Sequence, residues 1–319
     1  MPDRTPPTAP SSTASSSTAS SSTGPSSTGP SSAGQPLRVL LREAERVLAE
    51  AGVASPRVDA ELLAAHVIGV PRGRLVTVPP VGEPAVEEYR ALVVRRAARE
   101  PLQHLLGSAV LGPATLEVGP GVFVPRPETE LLLEWGVRAL ADVPSPLVVD
   151  LCTGSGALAL AVAAARPDAA VHAVERDPAA LAWARRNVAM HVAAGGTPVA
   201  LHAADVRAPD LLAELRGRVD LLVCNPPYVP DGTPVPPEVA AWDPPAAVFG
   251  GPDGLEVVRA VVDRAAALLR PGGWVGVEHD DTHGEAVPEL LRPVFTDVAD
   301  HRDLAGRPRF ATARRAPAG

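Results

Sequence analysis

The sequence predicts an α/β fold, in which a parallel sheet is covered by helices on both faces, preceded by a small all-helical domain. Two observations carry this. From Pro146 onward, apolar strand-length runs alternate with helix-length segments, and the strands are apolar throughout rather than on one face, as in parallel sheets buried on both sides. Before that, residues 37–105 show helical periodicity without a strand signal, and 319 residues suffice for two domains and a tail.

Residues 1–36 are almost entirely Ser, Thr, Pro, Gly and Ala, with Ser21-Ser22-Thr23-Gly24-Pro25 repeated as Ser26-Ser27-Thr28-Gly29-Pro30. Such a composition cannot bury enough apolar surface to offset its ordering entropy, so a disordered tail is expected. Leu37, Leu40, Leu41, Ala44, Val47, Leu48 and Ala51 then follow helical spacing until Gly52. Ser55-Pro56 is an N-cap and first-turn pair for a second helix that runs towards Gly69, and a third is expected from about Pro84 to Ala98. Residues 106–127 carry alternating apolar positions broken by Gly112-Pro113 and Gly119-Pro120, which predicts a hairpin-like linker. Pro125-Arg126-Pro127 launches a helix through Glu128, Leu131, Leu132 and Trp135, and opens the third unit, 128–319.

Within that unit, strands are expected at Leu147–Leu151, Ala170–Val174, Val199–Ala203, Asp220–Cys224 and Trp274–Glu278. Helices are expected at Ala157–Ala165, Pro178–Met190 and Leu255–Leu269. Ligands of such a sheet bind at the carboxyl ends of its strands. The first strand ends in Asp150-Leu151-Cys152-Thr153-Gly154-Ser155-Gly156, where Gly154 and Gly156 allow a tight turn onto a helix N-terminus. About twenty residues on, the second strand ends in Glu175, placed to accept both hydroxyls of a ribose. The third is followed by Ala204-Asp205, suited to the exocyclic amine of an adenine. A dinucleotide loop needs a third glycine, and Ala157-Leu158-Ala159 supplies none. A nucleoside cofactor without a pyrophosphate fits better, and S-adenosyl-L-methionine suits this combination.

The fourth strand runs into Asn225-Pro226-Pro227-Tyr228. Two prolines remove two backbone donors and stiffen the loop, which leaves the Pro226 carbonyl free to accept a hydrogen bond beside the Asn225 side chain. That pair suits a planar NH2 group, with the Tyr228 ring packing on its flat face. Methyl transfer from a sulfonium is an in-line displacement, in which alignment supplies much of the catalysis. Glu278-His279-Asp280-Asp281 reads as a rim loop and not a metal site, because no other cluster completes a ligand set. The two cysteines, Cys152 and Cys224, lack a nearby His and read as small buried hydrophobes.

These segments together resemble the HemK/PrmC family of peptide-chain release factor glutamine methyltransferases. The matching stretches are Ser55-Pro56-Arg57 with Asp59-Ala60-Glu61, Pro101 to Gly107, Val124 to Glu130, the glycine loop, Asn225 to Tyr228, and Asp253-Gly254-Leu255. The resemblance implies a Rossmann-like class I SAM-dependent methyltransferase over 128–319 and a helical substrate-recognition domain over 37–105 that grips class-1 release factors. It implies that the glutamine of their Gly-Gly-Gln loop is methylated. Cys152, Thr153, Gly154, Ser155, Gly156, Glu175, Asp205 and Val206 would bind the cofactor. Asn225, Pro226, Pro227 and Tyr228 would bind the glutamine, with Asn225, Pro226 and Tyr228 catalytic and Asn225 also facing the cofactor. Cys152 stands where the family usually has Gly, and Val206 where an aromatic residue often stands.

The net charge of −8 and pI near 5.5 argue against stable nucleic-acid binding. An amino-methyltransferase acting on adenine in nucleic acid, or on a ribosomal protein, is the rival reading, since such enzymes share the Asn-Pro-Pro-Tyr signature. A catalytically silent binding protein is disfavoured by the intact motifs. With no apolar run long enough to span a bilayer and no signal peptide, a cytoplasmic protein is expected.

Overall fold

The computed structural model describes residues 34–316. The expected tail therefore lies outside the described residues except for its last three positions, where Gln35 forms an antiparallel bridge with Val81 and joins the first domain. That domain contains α1 (Leu37–Glu50), α2 (Pro56–Ile68), α3 (Glu83–Ala97) and the short α4 (Leu102–Leu106). Gly69 and Gly107 end α2 and α4 in the left-handed conformation that stops helices. Leu40, Leu48, Leu63, Val86 and Tyr89 form its own core, and the Tyr89 hydroxyl donates to the Ala60 carbonyl.

A two-stranded antiparallel hairpin follows, β1 (Ser108–Leu111) and β2 (Ala114–Glu117). Then come α5 (Thr129–Ala139), β3 (Leu147–Leu151), α6 (Ala157–Ala165), β4 (Ala170–Glu175), α7 (Pro178–Ala193), β5 (Val199–Ala203), β6 (Val219–Cys224), α8 (Pro237–Trp242), α9 (Pro245–Val248), α10 (Glu256–Leu268), β7 (Leu269–Glu278), α11 (Ala286–Leu291), β8 (Phe295–Arg302) and β9 (Pro308–Arg315). The seven strands β3 to β9 form one sheet in the order β5-β4-β3-β6-β7-β9-β8, with β3 to β7 parallel and β9 antiparallel to both neighbours. The sheet is thus a parallel core extended by an antiparallel pair. The sequence did not announce that pair, because β8 reads Phe-Thr-Asp-Val-Ala-Asp-His-Arg and is half exposed, so no apolar run marks it.

Adjacent residues of each central strand enter opposite cores. Val148, Leu221 and Val223 pack with α5 and α6, while Val149, Leu222 and Cys224 pack with α10 and α11. The helix α5 sits close to the sheet at β7. A Cβ built on Gly276 of β7 would lie 2.6 Å from Leu132 Cδ1 and 2.7 Å from the Trp135 ring. Gly276 thereby sets the height of α5, whose first residue is Thr129.

Gly276→Ala should push α5 outward and destabilise the protein by about 1–3 kcal/mol, because the added methyl overpacks a closed interface. Denaturant unfolding measures this, and wild-type stability in the variant would show that α5 relaxes without strain.

Candidate active site

In this strand order β3 has β4 on one side and β6 on the other, so the loops leaving the strands diverge and open a crevice at their carboxyl ends. A cavity of about 720 Å³ occupies it, lined by the glycine loop, Glu175, Asn225 to Tyr228 and Glu278, and reached from the helical domain by Ser55 and Gln103.

On the cofactor side, the β3 loop turns through Cys152, Gly154 and Gly156 at φ of +59°, +58° and +85°. Cys152 therefore holds a left-handed conformation in which glycine is at ease and most other residues are not. Among the described residues nothing lies within 4 Å of a Cβ built on Gly154, so its backbone faces open space. The loop is held from beneath by Asp150, whose Oδ2 accepts from Thr153 Oγ1 at 2.5 Å and from the Ala159 amide at 3.1 Å. Burial pushes the Asp150 carboxyl up to about 7. Glu175 closes the loop from the side: Oε2 accepts from the Gly154 amide at 2.9 Å and Oε1 from the Asp177 amide at 2.8 Å. Each oxygen keeps a lone pair that a diol can use. The buried Asn187 donates to the carbonyls of Ser155 and Glu117, and so ties the hairpin to this loop.

Asp205 lies on the same rim, but both of its oxygens are already engaged by Arg207, at 3.0 Å from Nε and 2.7 Å from Nη2. That pair holds its carboxyl well below the usual range. The adjacent Val206 is buried in the α10-side core and also lines the cavity.

On the substrate side, Asn225-Pro226-Pro227-Tyr228 leaves β6 over a platform formed by residues 248–254. The Val229 amide donates to the Val248 carbonyl, and the Gly250 amide donates to the Val229 carbonyl. Cβ atoms on Gly250 and Gly254 would fall 2.5 Å from the Pro227 carbonyl oxygen and 2.3 Å from that of Tyr228, so the two backbones touch. This explains Asp253-Gly254-Leu255 as part of the site's foundation. Among the described residues, no protein donor uses the Pro226 carbonyl.

Glu278 is the last residue of β7, as the expected strand Trp274–Glu278 has it, but the structure corrects its reading as part of an exposed rim: it is 1 % exposed, and its carboxylate accepts from Thr129 Oγ1 at 2.8 Å and from the Tyr228 hydroxyl at 3.3 Å. Thr129 in turn accepts from Asn225 Nδ2 at 3.3 Å. Tyr228 is thus held by its hydroxyl as well as presenting its ring. The strand-end rule that singled out Glu175 applied equally to Glu278; the surrounding charges concealed it. His279, next in line, turns away to pair with Asp300 at 3.0 Å.

The mouth of the cavity is framed by salt bridges between distant segments. Arg96 bridges Asp59 at 2.8 Å and Glu238 of α8 at 3.2 Å, and Arg99 reaches the other Glu238 oxygen at 2.5 Å. Arg126 packs its guanidinium over Phe123 at 4.7 Å and pairs with Asp243 at 2.5 Å. None of these residues was singled out as functional from sequence, although Asp59 and Arg126 lie in stretches that carry the family resemblance.

The family described as PrmC N-terminal domain matches residues 39–107, and that described as Methyltransferase small domain matches 120–239. A release factor glutamine methyltransferase of Mycolicibacterium smegmatis is 56% identical over 282 residues, covering 88% of this chain and 98% of the relative. Its counterpart in Streptomyces coelicolor is 50% identical over 280 residues, covering 86% and 96%. A solved protein-(glutamine-N5) methyltransferase (release factor-specific) from Alicyclobacillus acidocaldarius aligns with a TM-score of 0.38 and 27% identity, over 63% of this chain and 99% of that one.

Burial is the largest influence on Glu278 and pushes its carboxyl up to about 7; Thr129, Arg309 and Tyr228 pull it down and Glu128 pushes it up. A carboxyl raised in the folded state contributes stability that is fully present below its unfolded value and is lost as pH rises through about 7. Glu278→Gln cannot ionise, so its stability relative to wild type should improve between about pH 5 and about pH 8. Denaturant titrations at the two pH values measure this; a constant difference would mean that Glu278 titrates alike in the folded and unfolded chains.

Proposed function

The chain belongs to the release factor glutamine methyltransferase family, and from that premise we propose that it methylates the side-chain amide nitrogen (N5) of the glutamine in the Gly-Gly-Gln motif of class-1 peptide chain release factors. The observation that carries this reading is that Asn225, with an amide oxygen able to accept, and the Pro226 carbonyl, to which no donor among the described residues binds, line the cavity on one loop braced from below by Gly250 and Gly254. Two acceptors side by side match the two hydrogens of one amide NH2.

S-adenosyl-L-methionine is the cofactor, and when bound it supplies the electrophilic methyl group. The residues present fit it: Glu175 retains lone pairs for the ribose hydroxyls, and Gly154 leaves its backbone face open. Asp205, held by Arg207, keeps a fixed orientation on the adenine side, and Val206 offers an apolar surface in place of an aromatic ring.

An amide nitrogen is a weak nucleophile, so the site works by alignment. Asn225 and the Pro226 carbonyl hold the two hydrogens and draw charge towards the nitrogen; Tyr228 and Pro227 confine the flat group. Bound S-adenosyl-L-methionine would supply its sulfonium methyl to the amide nitrogen that Asn225 and Pro226 hold in line, with the displaced amide proton passing to solvent. The helical domain is the surface that receives the release factor. Ser55, Pro101 and Gln103 line the same cavity, and the Arg96–Glu238 bridge fixes that domain against α8. The reaction belongs in the cytoplasm, where translation terminates. Among the described residues no helix is long and apolar enough to cross a membrane.

The rival reading, methylation of an adenine amine, is separated by one experiment. Incubated with labelled S-adenosyl-L-methionine, the protein should label a purified release factor on the Gly-Gly-Gln glutamine, as mapped by mass spectrometry. A factor with that glutamine replaced by alanine, DNA and RNA should stay unlabelled. Label on adenine and none on the release factor would overturn the amide reading.

A second measurement isolates the cofactor side. Glu175→Ala should weaken S-adenosyl-L-methionine binding by about 1.5–3 kcal/mol, the worth of charged hydrogen bonds. Unchanged affinity in calorimetry would remove Glu175 from the site.

A further inference from the structure

We infer that Thr129 and Glu278 are positioning residues that fix the Asn225 amide with its carbonyl oxygen, rather than its NH2, facing the substrate. The inference rests on the amide-methylation reading and deepens it.

An Asn side chain has an accepting end and a donating end of nearly the same shape. With the oxygen facing the cavity, Asn225 and the Pro226 carbonyl present two acceptors and suit an incoming NH2. With the nitrogen facing the cavity, the same residue opposes it donor to donor. Asn225 lies outside the regular strand and cannot set this choice itself.

The neighbours set it through hydrogen-bond polarity. A threonine hydroxyl has one hydrogen to give. That of Thr129 lies 2.8 Å from Glu278 Oε2, and an ionised carboxylate only accepts, so the hydrogen is committed there. Thr129 Oγ1 is left to accept, and the group it meets at 3.3 Å is Asn225 Nδ2. The Tyr228 hydroxyl commits its hydrogen to the other Glu278 oxygen. All the hydrogens of this chain run towards one buried carboxylate, and the Asn225 oxygen is left for the cavity.

The polarity has a reversed form. If Glu278 carries a proton on Oε2 it can donate to Thr129, whose hydrogen then turns to Asn225 and favours the flipped amide. The groups facing Glu278 are the Thr129 and Tyr228 hydroxyls, the Arg309 guanidinium from β9 and the Glu128 carboxylate. Burial among them places its titration near neutrality, at about 7. Thr129 itself is 4 % exposed at the first position of α5, so the hydroxyl has little freedom to find other partners.

The test uses the full chain with a purified release factor and S-adenosyl-L-methionine, and compares wild type, Thr129→Val and Thr129→Ser. Valine keeps the shape and removes the hydroxyl, while serine restores the hydroxyl. Thr129→Val should lower kcat about 10- to 100-fold with cofactor affinity changed less than about 3-fold, and Thr129→Ser should recover most of kcat. The wild-type kcat should rise with pH through the neutral range, and this limb should be absent from the residual activity of Thr129→Val. Wild-type kcat and an unchanged pH profile in Thr129→Val would overturn the inference. So would an equal loss in the serine and valine variants, which would assign Thr129 a packing role, or a loss of cofactor affinity in step with kcat. If the wild type itself leaves the glutamine unmethylated, the amide reading fails first and this inference falls with it.

Discussion

The crossover at β3 is the constraint on which the rest of the molecule depends. Because β4 and β6 lie on opposite sides of β3, the loop after β3 must turn under one neighbour while the loop after β6 leaves beside the other. The gap between them is a consequence of topology and exists before any side chain is specified. The glycine loop fills one wall of that gap and Asn225 to Tyr228 the other. Glu175 and Glu278, on strands flanking this pair, supply a carboxylate to each wall.

Buried carboxylates are expensive unless satisfied, and the site contains several arranged for different ends. Asp150 and Glu175 each accept from backbone amides, and Asp150 also from Thr153, and so hold the glycine loop in shape, including the positive φ of Cys152, while Glu175 keeps lone pairs to spare. Glu278 receives hydroxyls instead, which leaves its hydrogen-bond partners able to reorient with its charge.

A second layer of order comes from charge pairs across long separations in sequence. Arg96, already paired with Asp59 inside the helical domain, meets Glu238, 142 residues on, and Arg126 meets Asp243. Arg96 and Asp59 are nearly buried, where breaking a pair leaves an uncompensated charge, so these contacts resist separation. They bring the segment after Asn225 to Tyr228 against the helical domain and make one cavity from parts of both.

The sequence by itself determined whatever depends on local periodicity and backbone stereochemistry. The bounds of β3, α6 and β5 were legible to the residue, because apolar runs there end at Gly, Pro or polar punctuation. The glycine loop, Glu175 and the rigid Asn-Pro-Pro turn were legible for the same reason: each is set by residues adjacent in the chain. Tertiary structure alone decided the antiparallel β8 and β9, whose mixed polar pattern is paired only once β9 lies against β7 and β8 against β9. It alone decided that Glu278 is buried beneath Tyr228 rather than exposed on a rim, and that Thr129 stands between it and Asn225. Those facts depend on the height of α5 over Gly276 and on partners 149 and 96 residues apart. A hydrogen bond at that separation leaves no trace in local pattern, because its energy is realised only after the elements that carry it have packed.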